Sequence, residues 1–300
     1  MLGLCCLFAS QTDRFLSADN LTLILQQVMV FGVIAVGQTL VILTAGIDLS
    51  CGMVMALGGI VMAKLATESG LPPVLSLLAG MGVTTAFGLV NGGLVTQIRL
   101  PPFIVTLGTM NIALALTQLY SGARTLTDLP SLLTAPGNIV AIGSTGVCLG
   151  VVLMLLLYGL AFFLLRDTAA GRHVYAVGSN AEAARLMGIP VAGVLLAVYG
   201  LAGLCYGLAA WLSVARTGVG DPNAGQTENL DAITAVVLGG TSLFGGRGVM
   251  LGTLVGVLIV GVLRNGLTLM GLPSIYQVLV TGILVIMAVA IDQLARNPSV

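Results

Sequence analysis

Residues 191–214 read VAGVLLAVYGLAGLCYGLAAWLSV, a run of twenty-four positions without one charged side chain. A helix of about 20 apolar residues crosses the hydrocarbon core of a bilayer, so this run is long enough to cross it once. Pro190 precedes the run and Arg216 follows it, and similar apolar runs recur along the chain. The sequence therefore predicts a polytopic membrane protein built from helices.

The composition indicates the same class. Of 300 residues, 57% are apolar and 7% are charged, whereas roughly a quarter of the residues in a soluble domain are charged. Eleven Lys and Arg balance eleven Asp and Glu, which leaves no basic surface for nucleic acid. The unbroken apolar runs differ from the alternating pattern of a membrane β-barrel. The five cysteines show no CxxC spacing, so we expect neither a metal site nor a disulfide framework.

Proline, glycine and charged residues divide the apolar runs into about ten segments, because proline cannot continue a helix. The predicted spans are 2–16, 21–45, 50–66, 73–98, 102–121, 145–166, 190–214, 231–244, 248–270 and 274–292. The predicted fold class is all-α: a polytopic membrane bundle of about ten transmembrane segments, some of them short or broken. We expect residues 1–300 to form a single transmembrane domain.

Two of these segments, 50–66 and 231–244, are shorter than a comfortable crossing. The first follows TAGIDLSCG at 44–52, and the second ends in GGTSLFGGRG at 239–248. Non-helical backbone is tolerated inside a membrane only where protein or a water-filled cavity satisfies it, so such interruptions often mark a transport path. Two short, tilted helices joined by tight glycine turns are the alternative, and both interpretations stay open at this point.

Glycines four residues apart lie inside several spans, including Gly88 with Gly92 and Gly203 with Gly207. Such pairs place glycine on one face of a helix, where a second backbone can approach closely. The spacing predicts dense packing between helices. It favours contacts within one chain over a subunit interface.

Several kinds of chemistry lack the residues that they need. No charged residue lies near the centre of a full-length span, so a proton relay or an intramembrane catalytic site is not predicted. The single histidine, His173, falls in a polar loop, and the single lysine, Lys64, follows Ala63 rather than the glycine of a P-loop. We therefore expect a chain that is not an enzyme, binds no cofactor and does not itself hydrolyse ATP.

Polar side chains inside the spans are the remaining candidates for function. Amides and hydroxyls can exchange hydrogen bonds with a neutral, hydroxyl-rich solute without burying a charge. Hydrogen bonding between helices is the alternative role, and we favour it for any single residue. The candidates for lining a translocation path are Gln38, Thr39, Asp48, Asn91, Thr106, Asn111 and Asp231.

The loop at 167–189 is the most polar stretch of the chain. Three arginines and His173 concentrate between residues 166 and 185, which favours the cytoplasmic side. Ser179 or Asn180 can cap a short helix, Glu182 lies in its first turn, and Gly188 ends it. Ala183, Ala184, Leu186 and Met187 would give that helix a small apolar face. The helix could serve as a lever for a cytoplasmic partner or as an interfacial anchor.

Four motifs resemble a known family. Glu182-Ala183-Ala184 followed by Gly188 is similar to the EAA loop of ATP-binding-cassette importer permeases, although the Ile-x-Leu-Pro tail of that loop is missing. The blocks GQTLVILTAGIDLSCG at 37–52, GRHVYAVGSN at 171–180 and LDAITAVVLGGTSL at 230–243 resemble signature blocks of ribose/xylose/galactose-type monosaccharide permeases. The resemblance extends from about residue 20 to residue 292.

This resemblance implies a multi-pass permease of the inner membrane that imports a neutral monosaccharide, ribose or another pentose or hexose, by alternating access. It implies a second permease copy, a periplasmic sugar-binding protein and a cytoplasmic ATPase that binds the ATP. By the same resemblance, Glu182, Ala183, Ala184 and Gly188 belong to a coupling helix that docks on the ATPase. A facilitator or an ion-coupled sugar carrier that works alone is the alternative function.

Overall fold

The computed structural model, which describes residues 2–12, 14–142 and 145–296, is a bundle of α-helices with one small hairpin. The helices are α1 (Leu2–Gln11), α2 (Ala18–Leu43), α3 (Cys51–Thr67), α4 (Pro73–Gln97), α5 (Pro102–Ser121), α6 (Ser131–Thr134), α7 (Leu149–Asp167), α8 (Ala169–Ser179), α9 (Ala181–Leu186), α10 (Val191–Thr217), α11 (Glu228–Leu238), α12 (Met250–Leu269) and α13 (Ser274–Arg296). A 3₁₀ turn (Ala135–Gly137) and two strands, β1 (Ile139–Ile142) and β2 (Thr145–Cys148), lie between α6 and α7.

Within the residues that the structure describes, six helices are long and apolar enough to cross a membrane: α2, α4, α5, α7, α10 and α12. They confirm the prediction of a helical membrane bundle. Each of the other four predicted spans also contains a helix, but α1 has 10 residues, α3 has 17 and α11 has 11. At 1.5 Å per residue, α1 and α11 extend over roughly half of a bilayer core.

The hairpin differs from the all-α expectation. β1 pairs with β2 in antiparallel register, with Ile139 opposite Cys148. The span predicted at 145–166 therefore begins too early, because residues 145–148 are a strand and α7 begins at Leu149. Strands this short contain too few residues for their periodicity to stand out beside a long apolar helix.

Helix α10 lies at the centre of the bundle and packs against α2, α3 and α4. Its contact with α4 depends on glycine: a Cβ at Gly88 would overlap the Tyr199 carbonyl oxygen, and a Cβ at Gly203 would lie 2.5 Å from the carbonyl oxygen of Thr84. Gly92 approaches the same turn of α10. The predicted close packing is confirmed here, and it is a contact within one chain.

The loops lie at two ends of this bundle. At one end, the backbone N–H of Gly246 donates to the carbonyl of Leu43, and Gly178 packs against the same carbonyl. We call this the 167–190 end. At the opposite end, Leu126 and Gly220 form an isolated β-bridge. Because α4 and α10 run antiparallel, the loop at 98–101 also lies at the 167–190 end.

Replacing Gly88 with Val is expected to destabilise the protein, because the new side chain must displace the backbone of Tyr199. Overpacking of a dense interior costs about 1–3 kcal/mol. Thermal unfolding of the detergent-solubilised protein measures the effect. Gly93→Val in the same helix is the matched control, since a Cβ there meets no atom within 4 Å. Equal stability of the two variants would contradict the packing described.

Candidate translocation site and coupling segment

The backbone between α2 and α3 is a buried, non-helical segment. Helix α2 ends at Leu43, Ala45 has a positive φ of 60°, and α3 begins only at Cys51. We call residues 44–50 the helix break. It follows a 26-residue apolar helix, so its backbone groups need partners from within the protein.

Three side chains from three different helices supply those partners. They donate to the consecutive carbonyls of residues 47–49: Thr106 of α5 to the first at 3.0 Å, Gln38 of α2 to the second, and Asn229 of α11 to the third at 3.4 Å. Side-chain donors from adjacent helices therefore stabilise the non-helical backbone of the break.

The side chain of Asp48 forms the centre of the break. Its carboxyl group accepts from the Ser50 backbone N–H at 2.8 Å, from the Ser50 hydroxyl at 2.6 Å and from the Tyr206 hydroxyl at 3.0 Å. Asn91 of α4 donates to the Ser50 hydroxyl at 3.1 Å. Asp48 has no exposed surface, so in this conformation its carboxyl group contacts only protein.

Further polar atoms in this region have no hydrogen-bond partner in the part of the chain that the structure describes. They are Gln38 Oε1, Asn91 Oδ1 and the hydroxyl of Tyr199. Tyr199 lies against Gly46, where a Cβ would come within 2.8 Å of the hydroxyl oxygen. An unpaired buried polar atom costs about 1–3 kcal/mol. These atoms therefore keep unused hydrogen-bonding capacity beside the helix break.

The N-termini of the two short helices, α3 and α11, lie next to each other. A Cβ at Gly52 in the first turn of α3 would overlap the carbonyl oxygen of Gly225, and the Asn229 backbone N–H in the first turn of α11 lies nearby. From there α3 extends toward Gly220, which packs against Ala63 near its far end, whereas α11 extends toward the loop at 239–249. The structure thus contains a non-helical segment before α3 and a loop with positive-φ glycines after α11.

A cavity of about 250 Å³ lies beside this junction, between α3, α10 and the segment 219–228. Its lining includes the charged residues Arg216, Asp221 and Glu228 together with Asn223 and Gln226. The segment that lines it starts next to the β-bridge at Gly220, so the cavity lies toward the end opposite 167–190.

Asp231 of α11 forms a buried ion pair with Arg264 of α12. Arg264 Nη2 lies 2.7 Å from Asp231 Oδ2, and the Asp231 side chain is 1% exposed. The same guanidinium nitrogen lies 3.5 Å from the hydroxyl of Thr227. The charge of Asp231 is thus compensated within the protein.

The structure brings together four of the seven predicted path residues, namely Gln38, Asp48, Asn91 and Thr106, at the helix break. Thr39 lies elsewhere on α2 and shares a hydrogen bond of 2.8 Å with Thr253 of α12. Asn111 lies on the exposed face of α5 and donates to a carbonyl of its own helix at 2.9 Å. Asp231 lies apart from the helix break and forms the ion pair with Arg264.

Four contributors to the site are absent from the list of predicted residues: Ser50, Tyr206, Asn229 and Arg264. Tyr206 lies inside the apolar run 191–214, where an aromatic residue is typical of a core. Asn229 and Arg264 contact groups that are 180 and 33 positions away in sequence. A tyrosine in a glycine-rich span was the one local signal, because buried tyrosine hydroxyls usually find a partner.

The segment 167–189 contains two helices instead of one. Thr168 caps α8 by accepting from the Gly171 backbone N–H at 3.2 Å, and Asn180 caps α9 by accepting from Ala183 at 2.9 Å. Gly188 follows α9 with a φ of 83°, a conformation that favours glycine. The predicted cap and stop of the short helix are confirmed.

The residues of α9 and its C-terminus point in different directions. Ala184 is 4% exposed and packs against the protein, whereas Leu186 and Met187 are 80% and 83% exposed. The expectation of one shared apolar face is therefore wrong, because Leu186 lies about 200° around the helix from Ala184 and Met187 already follows the last residue of α9. Glu182 lies on the exposed side and pairs with Arg185 at 3.2 Å.

This segment contacts the start of the helix break directly. A Cβ at Gly178, near the end of α8, would overlap the Leu43 carbonyl oxygen, which also accepts the Gly246 N–H at 2.9 Å. Ser179 packs against Gly246. Helix α8 thus contacts the end of α2 without an intervening layer.

Asp231→Asn is expected to lower the free energy of unfolding by about 2 kcal/mol, because it leaves the partly buried Arg264 guanidinium without its counter-charge. The double variant Asp231→Asn with Arg264→Gln should recover part of the loss. Glu68→Gln, which breaks surface pairs with Lys64 and Arg124 at 3.5 and 3.6 Å, is the control and should cost about 1 kcal/mol or less. Denaturation in detergent measures all three, and equal losses for the two single variants would contradict a structural ion pair.

Comparison with known proteins places the chain in a family. Residues 20–289 match the family described as the permease component of branched-chain amino acid transport systems. The chain is 48% identical over 289 residues to the fructose import permease of Rhizobium meliloti, which covers 95% of this chain and 80% of the relative. It is 41% identical over 292 residues to the ribose import permease of Bacillus subtilis, which covers 93% and 86%.

A third relative is the D-allose transport permease of Escherichia coli, 38% identical over 282 residues, with coverage of 94% and 86%. No solved structure matches the chain. These matches make the chain a multi-pass transport subunit of the inner membrane and not an enzyme, and they imply an ATPase and a substrate-binding protein as partners. The chain therefore belongs to the permease-component family and, within it, to the permeases of ATP-binding-cassette monosaccharide importers.

Proposed function

We propose that the chain imports a neutral monosaccharide of the kind named for its relatives, such as ribose, fructose or allose, by alternating access. Two copies pair in the membrane, and about ten segments of each cross or enter it. A cytoplasmic ATPase binds the ATP, and a periplasmic sugar-binding protein delivers the solute. The observation that carries this proposal is the direct packing of the 167–189 segment on the helix break.

The segment 167–189 is the cytoplasmic coupling loop of this proposal. Glu182, Ala183, Ala184 and Gly188 form its docking helix and the turn that ends it. Leu186 and Met187 protrude furthest into solvent, which suits insertion into a groove of the ATPase. Ala184, which is buried against the protein, transfers the movement of the docked helix to α8.

Movement of α8 reaches the passage through Leu43 and the helix break. The hydrogen bonds at Asp48, Gln38, Asn91 and Thr106 then rearrange, and the unpaired polar atoms of this region provide partners for a second arrangement. A packed junction with two sets of hydrogen bonds switches between discrete states. The short helices α3 and α11 begin at this junction, so its rearrangement redirects both.

The solute passage is lined by neutral groups. Asn111 lies on an otherwise apolar exposed face of α5, and an amide facing lipid is unfavourable. A second copy would cover this face, which places Asn111 beside a passage between the copies. Thr39 and Asp231, each paired with a residue of α12, support the wall of the passage without adding an uncompensated charge. The chain itself needs no cofactor for this work.

Reconstitution separates this function from that of a carrier that works alone. Liposomes that contain the permease by itself should not accumulate or equilibrate labelled ribose, fructose or allose. Addition of the ATPase and the sugar-binding protein of the same transporter, with ATP, should start uptake of the sugar that the binding protein holds. Equilibration of sugar by the permease alone would overturn the proposal.

Tyr206→Phe tests the role of the helix break in transport. It removes one hydrogen bond to Asp48 without changing the packed volume, which should cost about 1–3 kcal/mol and slow uptake about tenfold. Tyr158→Phe is the matched control, since the Tyr158 hydroxyl donates to the Gly32 carbonyl at 2.9 Å, away from the break. The control should lose similar stability and keep normal uptake. Equal uptake by both variants would contradict a moving break.

Met187→Asp tests the coupling loop. The side chain is 83% exposed, so the variant should fold and reach the membrane, but a carboxylate does not fit an apolar groove. We expect at least a tenfold loss of ATPase binding in co-purification and a matching loss of ATP-driven uptake. Met270→Asp, an exposed change at the opposite end of the bundle, should keep both. Normal ATPase binding by Met187→Asp would contradict docking through this tip.

A further inference from the structure

A second cavity, of about 320 Å³, lies where α7 ends, between α7, α8 and the start of α12. It is separate from the helix break and from the protruding tip of α9. Its lining combines Arg166 and Arg172 with Tyr175, Phe162 and Val249. Two arginines and apolar walls are an unusual combination for a cavity that a soluble solute would enter.

The arginines are available to a ligand. Arg166 has one carboxylate neighbour, Asp167, at a distance of 4.0 Å, and both side chains are more than half exposed. Its guanidinium lies 5.5 Å from the centre of the Phe162 ring. The Arg172 side chain is exposed, and its guanidinium has no hydrogen bond or ion pair with a residue that the structure describes. The cavity therefore carries a net positive charge.

The position of the cavity matches the border between lipid and water. Arg166 lies in the last turn of α7, one of the six helices able to cross a membrane. Arginine at such a helix end typically marks the headgroup region. Beside the cavity, Phe163, Val249 and Leu251 expose about half of their surface, so an apolar surface continues from the arginines toward the hydrocarbon.

Tyr175 fixes the shape of the cavity. Its hydroxyl donates to the carbonyl of Gly248 at 2.9 Å and thereby joins α8 to the loop before α12. The wall that carries Arg172 is thus held at a set distance from Val249. A preformed cavity of this kind loses little entropy when it is filled.

We propose that this cavity binds the headgroup of an anionic phospholipid. The phosphate lies between Arg166 and Arg172, and the acyl chains follow Phe163 and Leu251 into the bilayer. Basic pockets between membrane helices bind such headgroups. Only the assignment to the cytoplasmic leaflet rests on the proposed function; the binding itself depends on the cavity and its arginines.

The test measures lipid retention by the purified permease without any partner, so it does not depend on transport. Permease in mixed micelles of phosphatidylglycerol and phosphatidylcholine should retain phosphatidylglycerol selectively in native mass spectrometry. Each arginine contributes about fivefold, or about 1 kcal/mol, so Arg166→Gln with Arg172→Gln should lower retention about 25-fold. Arg99→Gln, an exposed arginine at the same end, is the matched control and should retain the lipid as the wild type does.

Three results would overturn the proposal. One is equal phosphatidylglycerol retention by the double variant and the wild type. Another is displacement of the lipid by millimolar inorganic phosphate, which would indicate a site for a free anion. The third is loss of the lipid when the ATPase assembles on the permease, which would assign the cavity to that interface. Arg166→Lys with Arg172→Lys keeps the charge and should retain most of the lipid, which separates loss of charge from misfolding.

Discussion

The structure depends on one constraint: backbone carbonyls inside a bilayer must find donors within the protein, because an unpaired one costs several kcal/mol. The helix break leaves three consecutive carbonyls without helical partners, and Thr106, Gln38 and Asn229 supply the donors. Since these donors come from α5, α2 and α11, the break fixes how three helices meet. The opposite directions of α3 and α11 and the cavity beside their common start follow from that meeting point.

Glycine lets backbone segments around the helix break approach one another closely. At Gly52 and Gly178 a Cβ would overlap a carbonyl oxygen of another segment, so no other residue permits the approach. The first contact joins the starts of α3 and α11, and the second joins α8 to the end of α2. Close-packed backbone has few intermediate arrangements. In the proposed mechanism, these two contacts therefore transmit a displacement of the 167–189 segment to the helix break as a shift between discrete states.

Much of the architecture could be predicted from local sequence, because membrane helices have long apolar runs that proline and charge interrupt. The short segments 50–66 and 231–244 and the cap at Asn180 were also visible locally. The pairing of Asp231 with Arg264 and of Asn229 with the Leu49 carbonyl was not, because the partners are 33 and 180 positions apart. The β-hairpin was missed since strands of four residues give almost no periodic signal. Chemistry-bearing residues could thus be named from the sequence, whereas their partners required the fold.

The two buried carboxylates bear on where the energy for transport enters. An ion-coupled carrier needs an ionisable group at depth that alternates between its cation and its protein partners. Asp48 already accepts three hydrogen bonds, and Asp231 already faces Arg264 at 2.7 Å. Rearrangement of Asp48 within the protein can exchange one protein partner for another, but binding of an ion would leave its buried donors without an acceptor. Releasing Asp231 would leave the partly buried Arg264 guanidinium without its counter-charge. The exposed tip of α9 carries no such cost, because Leu186 and Met187 have no partners to lose in solvent. The free-energy cost of releasing a buried carboxylate thus favours the proposed entry of energy through the 167–189 segment over coupling to a bound ion.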